Sequence, residues 1–273
     1  MTWSIIFHER DSSRIAIAVA TKFFAVGARV PNVEPQKGAV CTQALMNPLY
    51  GPHGLRLIRE GVGGADVVRI LVTPDAGHEH RQVHVMGADG KFAAHTGAEC
   101  VPWCGHWIGE DMSVAGNMLA GPQVVSETVR FFRENASMPL PRRLIGAMKA
   151  GEKVGGDKRG KQSAALVIYG NQDYSDLDLR VDDHIEPLLE LARLESVSRE
   201  RWTHFRDFIP TRENPAGIFD RAAIDAPAAQ NIATNSRPLP RKTVDRKRSS
   251  RTPIRSRTTA RNHRKAIPAN GAT

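Results

Sequence analysis

The stretch TWSIIFHERDSSRIAIAVATK, residues 2–22, decides the fold class. Its first part alternates, with Trp3, Ile5 and Phe7 on one side of an extended chain and Ser4, Ile6 and His8 on the other. That is the two-residue period of a strand. Its second part, RIAIAVA from Arg14, is continuously apolar, which predicts a strand buried on both faces. HERDSSR between them supplies a turn, and two strands joined so closely form an antiparallel hairpin.

Outward from this hairpin the pattern changes in blocks. GAVCTQA (38–44) predicts a third strand, entered through a loop carrying Pro31 and Pro35. GPHGLRLIREG and GADVVRILVTPD predict two helices, separated by Gly61 to Gly64. RQVHVMGADGKFAAHTG is a hairpin signal, with Asp89-Gly90 between two β-rich runs. A Trp-containing loop then leads to a short strand in SVAGNML. Helical spacing follows at Val124, Val125, Thr128, Val129 and Phe132, and PLPRRLIGAMKAGE adds a helix with proline at its start. SAALVIYG and LDLRVDD read as strands, and IEPLLELARLESVSRERWTHFRDF as one long closing helix. Segregated runs of this kind indicate an α+β fold with antiparallel sheets, unlike the strict alternation of a doubly wound fold.

The composition sets limits on function. The chain has 273 residues, 41% of them hydrophobic, and a formal charge of +9. Twelve of the 38 basic residues but only one of the 29 acids, Asp245, fall in 236–273. The preceding 235 residues therefore hold 26 basic and 28 acidic groups, so the body is nearly neutral. The expected organisation is a folded domain over 1–209, a weakly structured extension over 210–235 and a disordered basic tail over 236–273. The tail lacks Phe, Tyr and Trp, so it cannot offset the entropy of ordering. Phosphate contacts from the tail would bind nucleic acid only non-specifically; a solvated appendage is the alternative. Three cysteines, Cys41, Cys100 and Cys104, argue against a disulfide framework. No apolar run reaches membrane-spanning length. A soluble cytoplasmic protein with no membrane partner is expected.

Thr2 carries the chemical question. Methionine is generally removed ahead of a small residue, which would leave Thr2 with a free α-amine beside its own hydroxyl. A threonine hydroxyl needs a neighbouring base to act as a nucleophile. An α-amine titrates near ~7.7–8.0 and is partly neutral at cellular pH. This pairing is a known variant of acyl-transfer catalysis. The other reading is a strand that happens to begin with Met-Thr.

Several segments resemble one family: ATKFFAVGARVPNVEPQKGAVCTQALMNPLYGPHGLRLIREG, TGAEC, GNMLAGP, GGDKRGKQSAAL and LRVDDH. They are similar to the bacterial and archaeal family known as domain of unknown function 1028, grouped by fold with the N-terminal-nucleophile (Ntn) hydrolase-like proteins. The resemblance runs from Thr2 to about Phe208. It implies a four-layer αββα sandwich of two facing antiparallel sheets with helices outside. It also implies that Thr2 stands at the nucleophile's position, without implying a substrate.

Around that nucleophile the sequence offers partners. Lys22 follows the second strand and should emerge near Thr2, where a cation favours a neutral amine and stabilises charge on Oγ1; a strand-end lysine in solvent is the alternative. Asn117, with Gly116 allowing close backbone approach, is a candidate oxyanion donor, as are Thr42 and Gln43 on opposite faces of their strand. Each is otherwise a turn-former or a satisfied core amide. GGDKRGKQSAAL is not a nucleotide-phosphate loop, because its spacing is wrong and a strand follows it. Asp157, Lys158 and Arg159 could hold a polar or anionic substrate group and Ser163 could orient the Thr2 amine; the alternative is a solvated loop with a structural ion pair.

His95, Cys100, Cys104 and His106 match zinc spacing only loosely, and a packed loop is the stronger reading. Asp182, Asp183 and His184 read as a helix cap. No metal and no cofactor are expected. The reading is an amidohydrolase cleaving a small-molecule amide or peptide-like bond through Thr2, as a homo-oligomer. The alternative is an inactive scaffold of the same fold that binds a ligand or assembles with partners.

Overall fold

The computed structural model of the protein describes residues 2–222 and residue 224. The basic tail expected at 236–273 lies outside the described residues, as does the end of the extension at 210–235. The opening hairpin is β1 (Thr2–Glu9) and β2 (Arg14–Thr21), paired antiparallel from Glu9↔Arg14 at the turn to Thr2↔Thr21 at the open end. It forms the centre of a six-stranded antiparallel sheet. β8 (Met112–Asn117) lies beside β1, with β7 (Gly105–Ile108) at that edge; β9 (Ser163–Tyr169) and β10 (Ser175–Val181) lie beyond β2. A four-stranded antiparallel sheet has the order β3 (Pro31–Glu34), β4 (Gly38–Ala44), β5 (Arg81–Met86), β6 (Phe92–Thr96).

Alternation along each strand sends side chains into different cores. Trp3, Ile5 and Phe7 of β1 and Ala16, Ala18 and Ala20 of β2 pack with α3 (Gln123–Glu134), α4 (Leu140–Lys153) and α5 (Pro187–Ser198). Ile6, Ile15, Ile17 and Val19 point the other way and meet Ala39, Cys41 and Met86 of the smaller sheet. The far face of that sheet, with Val40, Val83 and Val85, packs with α1 (Tyr50–Arg59) and α2 (Gly64–Val72). Gly54 makes the α1 approach possible, since a Cβ there would sit 2.8 Å from Val40 Cγ2.

Three expectations change. The Pro31 loop contains strand β3, and the Trp-containing loop contains strand β7. Both are four-residue edge strands, too short to show a period, and Pro31 stands at a strand start where a missing N–H is tolerated. The long closing helix ends at Ser198 and restarts as the short α6 (Trp202–Phe205). No apolar residue lies between Val197 and Trp202, so nothing buries a continuing turn there. Trp202 Nε1 instead donates to the carbonyl of Asp176 at 2.9 Å and redirects the chain. Within the extension, Arg212 donates its backbone N–H to Gln172 and pairs with Asp173, so that part is tied to the turn after β9. No described helix is long and apolar enough to cross a membrane.

Candidate active site

The strand registers gather one end of both sheets around Thr2. Thr21 faces it on β2 and Asn117 on β8, while Ser163 faces Thr21 on β9. Thr2 is 7% exposed, and its Oγ1 lies 3.1 Å from Thr21 Oγ1. Thr21 was missed in the sequence, although counting the hairpin back from its turn places it opposite Thr2.

Beneath Thr2 the layer between the sheets becomes polar. Gln43 and Gln82, cross-strand neighbours on β4 and β5, both reach over to the larger sheet. Gln43 Nε2 donates to the Ala115 carbonyl (3.1 Å) and to Gln82 Oε1 (2.7 Å), while its Oε1 accepts from Ser4 (2.7 Å). Gln82 Nε2 donates to the Gly116 and Gly105 carbonyls and to Thr96 Oγ1. Its Oε1 also accepts from Asn117 Nδ2 at 3.0 Å. Because Ser4 spends its proton on Gln43, it must accept from His84 Nε2 at 2.8 Å, leaving His84 Nδ1 to accept from Ser113 at 2.8 Å. Complete burial holds His84 down at about 3, helped by His106. None of these inter-sheet groups is among the buried side-chain atoms that lack a partner.

A pocket opens beside Thr2, walled by Phe23, Val26, Val30 and Met46 with Arg29 at its side. A second lobe shares Phe23 and Ala44 with the first and is bordered by Asn117, Met118, Cys100, Glu99 and Arg159. Ala25, Ala44 and Met118, around these lobes, adopt left-handed backbone at φ 55°, 68° and 51°. Such conformations in non-glycine residues gather at functional sites, where surrounding structure holds them. Three apolar residues of the two lobes, Phe23, Leu45 and Val101, are each more than half exposed.

The structure separates the expected partners. Asn117 is brought to Thr2: its Nδ2 also makes a long 3.4 Å contact with the Thr2 carbonyl. Gln43 borders the Thr2 pocket, but both its amide hydrogens are engaged. Lys22 is not brought to Thr2. It falls in phase with Ala16, Ala18 and Ala20, the helix-facing row, and its exposed ammonium donates to the Lys161 carbonyl at 3.3 Å. Thr42 lies in the other row of β4 from Gln43, and its Oγ1 donates to the Asn47 carbonyl at 3.1 Å. Ser163 does not reach Thr2 either, because its Oγ donates to the Phe23 carbonyl and accepts the Val26 N–H, fixing the turn that walls the pocket.

Asp157 is a clamp whose carboxylate accepts the backbone N–H groups of Lys22 and Arg159, both at 2.8 Å, and pairs with the Arg159 side chain. Lys158 donates to the Pro102 carbonyl, leaving Arg159 as the member of this trio on a pocket wall. A further residue escaped sequence reading. Asp75 accepts from Asn47, Tyr50 and Arg81, anchoring the loop that carries Leu45 and Met46. The Tyr50 hydroxyl, above all, holds its carboxyl well below the ordinary carboxylate range.

The zinc-spaced residues have separate partners. His95 Nε2 donates to the His78 carbonyl, His106 pairs with Thr96, Cys100 donates to the Arg81 carbonyl and Cys104 to that of Cys100. Among the described residues no group of three or more His, Cys, Asp or Glu is arranged to hold a metal ion. At the start of α5, His184 Nδ1 accepts the Glu186 N–H, while Asp182 pairs with Arg180 and Asp183 accepts from Gln162.

The family of unknown function DUF1028 matches residues 2–191, and the chain belongs to that family. The crystal structure of protein SPO2555 from Silicibacter pomeroyi, also of DUF1028, is 26% identical with a TM-score of 0.71, covering 80% of this chain and 99% of its own. Anbu (ancestral beta-subunit) from Yersinia bercovieri is 10% identical with a TM-score of 0.37, over 73% of this chain and 94% of its own. Anbu from Hyphomicrobium sp. strain MC1 is 10% identical with a TM-score of 0.35, over 73% and 96%. No curated protein matches the chain.

Proposed function

We propose that the protein is an amidohydrolase of the N-terminal-nucleophile type, built as a four-layer αββα sandwich and acting through Thr2 once Met1 is removed. The observation that carries this reading is the position of Thr2: its hydroxyl borders a pocket at the end of a polar network that fixes its neighbours. In the reaction, Thr2 Oγ1 attacks the amide carbonyl carbon and its proton passes to the α-amine of the same residue. The second N–H of Asn117, held only by the 3.4 Å contact, turns to the developing oxyanion. The C–N bond then breaks and the leaving amine takes the proton from the α-ammonium. Water, deprotonated by the same amine, hydrolyses the acyl ester, releasing a carboxylic acid and restoring the Thr2 hydroxyl.

The test joins intact mass to turnover. The purified protein should lack Met1, and Thr2→Ala should lower amide hydrolysis by about 10³-fold or more, in line with the loss of other nucleophiles. A retained Met1 would leave the hydroxyl without its base and end the proposal. A second reading, a ligand-binding scaffold without turnover, is favoured by one observation: Lys22 and Ser163, expected beside Thr2, are engaged elsewhere. Ligand binding with no turnover from a Met1-free chain would select it.

A further inference from the structure

The pocket beside Thr2 has four apolar walls, Phe23, Val26, Val30 and Met46, and one charged residue, Arg29. Among the described residues no carboxylate lines it. Arg29 is exposed, and among the described residues no ion pair or hydrogen bond engages its guanidinium. Two acids near this turn are already committed, and Glu99 lies on the wall of the second lobe. Asp182 pairs with Arg180, and Asp157 is held by two backbone amides and Arg159. The charge of Arg29 is therefore left for a ligand. A guanidinium presents paired donors that match a carboxylate with two parallel bonds. The apolar walls favour an aliphatic chain.

We infer that this pocket binds a short aliphatic chain bearing a carboxylate, with Arg29 as the partner of the anion and the apolar walls holding the methylenes. The inference rests on the amidohydrolase reading for its place in the reaction: the substrates are anionic amides, and Arg29 sets specificity by holding the charged end while the amide reaches Thr2. Their rim position gives Phe23, which is 54% exposed, a second part as the wall shared by both lobes.

Binding and turnover test the two readings separately. Calorimetry on the full chain should show hexanoate binding about tenfold more tightly than hexanamide, its neutral counterpart. Arg29→Gln should erase that preference while leaving hexanamide binding unchanged, and Thr2→Ala should preserve it. Equal binding of both probes, binding of neither, or an undiminished preference in Arg29→Gln would overturn the inference. With p-nitroanilides of adipate and of hexanoate, Arg29→Gln should raise KM for the adipate compound alone. A carboxylate preference without hydrolysis of either anilide would sink the amidohydrolase reading and leave the anion site standing.

Discussion

The layer between the two sheets has two unlike halves. Towards β2 and β9 it is filled by Ile15, Ile17, Val19, Ala165 and Val167, which need only shape to pack. Towards β8 it is filled by Ser4, Gln43, Gln82, His84, Ser113 and Asn117, every one joined to a partner by directional bonds. The same strands contribute to both. The inward row of β5 runs Gln82, His84, Met86, and that of β4 runs Gln43, Cys41, Ala39, each becoming apolar with distance from Thr2. An apolar half stabilises by burial and tolerates small shifts; a satisfied polar half fixes positions and is costly when one partner is lost. The lesson is that this protein places its bonds of fixed direction where Thr2 has to be held.

The contrast can be broken from either side. The largest effect should come from the apolar half: Ile17→Ala, at a fully buried site, should cost about 2–5 kcal/mol. The denaturant midpoint reads it, and kcat of the folded fraction should stay near wild type. Next is Ser4→Ala, which leaves His84 Nε2–H and Gln43 Oε1 without their partner and should cost about 1–3 kcal/mol. Its kcat should fall several-fold, because the bonds that orient Gln43 and, through Gln82, Asn117 are loosened. If Ile17→Ala lowers kcat more than Ser4→Ala does, the division of labour is wrong.

A further test is a pH dependence. His84 titrates at about 3 in the fold against an ordinary 6.5, so below pH 6.5 the unfolded chain takes up a proton that the folded chain refuses. Stability is therefore full above pH 6.5 and declines as pH falls towards 3. His84→Gln should flatten that part of the profile in urea titrations between pH 7 and pH 4.5. An unchanged slope would mean that His84 is not the group responsible.

Much of this was legible in the sequence, and the failures have physical causes. Alternation in residues 2–8 and unbroken apolarity in 15–20 gave the central hairpin and the two cores it divides. Asn117, named in the sequence as an amide beside Gly116, stands opposite Thr2 on β8. Lys22 was misplaced although the phase was readable: inward residues of β2 have odd numbers, and 22 is even. Thr42 failed by the same parity, since Gln43 occupies the inward row of β4. Ser163 has the right phase but a nearer claim on its hydroxyl, the backbone of Phe23 and Val26, which no strand pattern reveals. Asp75 and Arg29 lie in loops, where placement depends on tertiary contacts and not on period. Gln82 carries no local signal at all; its importance arises from four bonds to three other strands and a neighbouring glutamine.

The most direct test of the central claim is covalent labelling of the full chain with a β-lactone, an electrophile that acylates nucleophilic hydroxyls, followed by peptide mass mapping. The account predicts a single adduct on Thr2, on a peptide that begins at Thr2. A chain that keeps Met1, or an adduct distributed over other residues with Thr2 untouched, would contradict it.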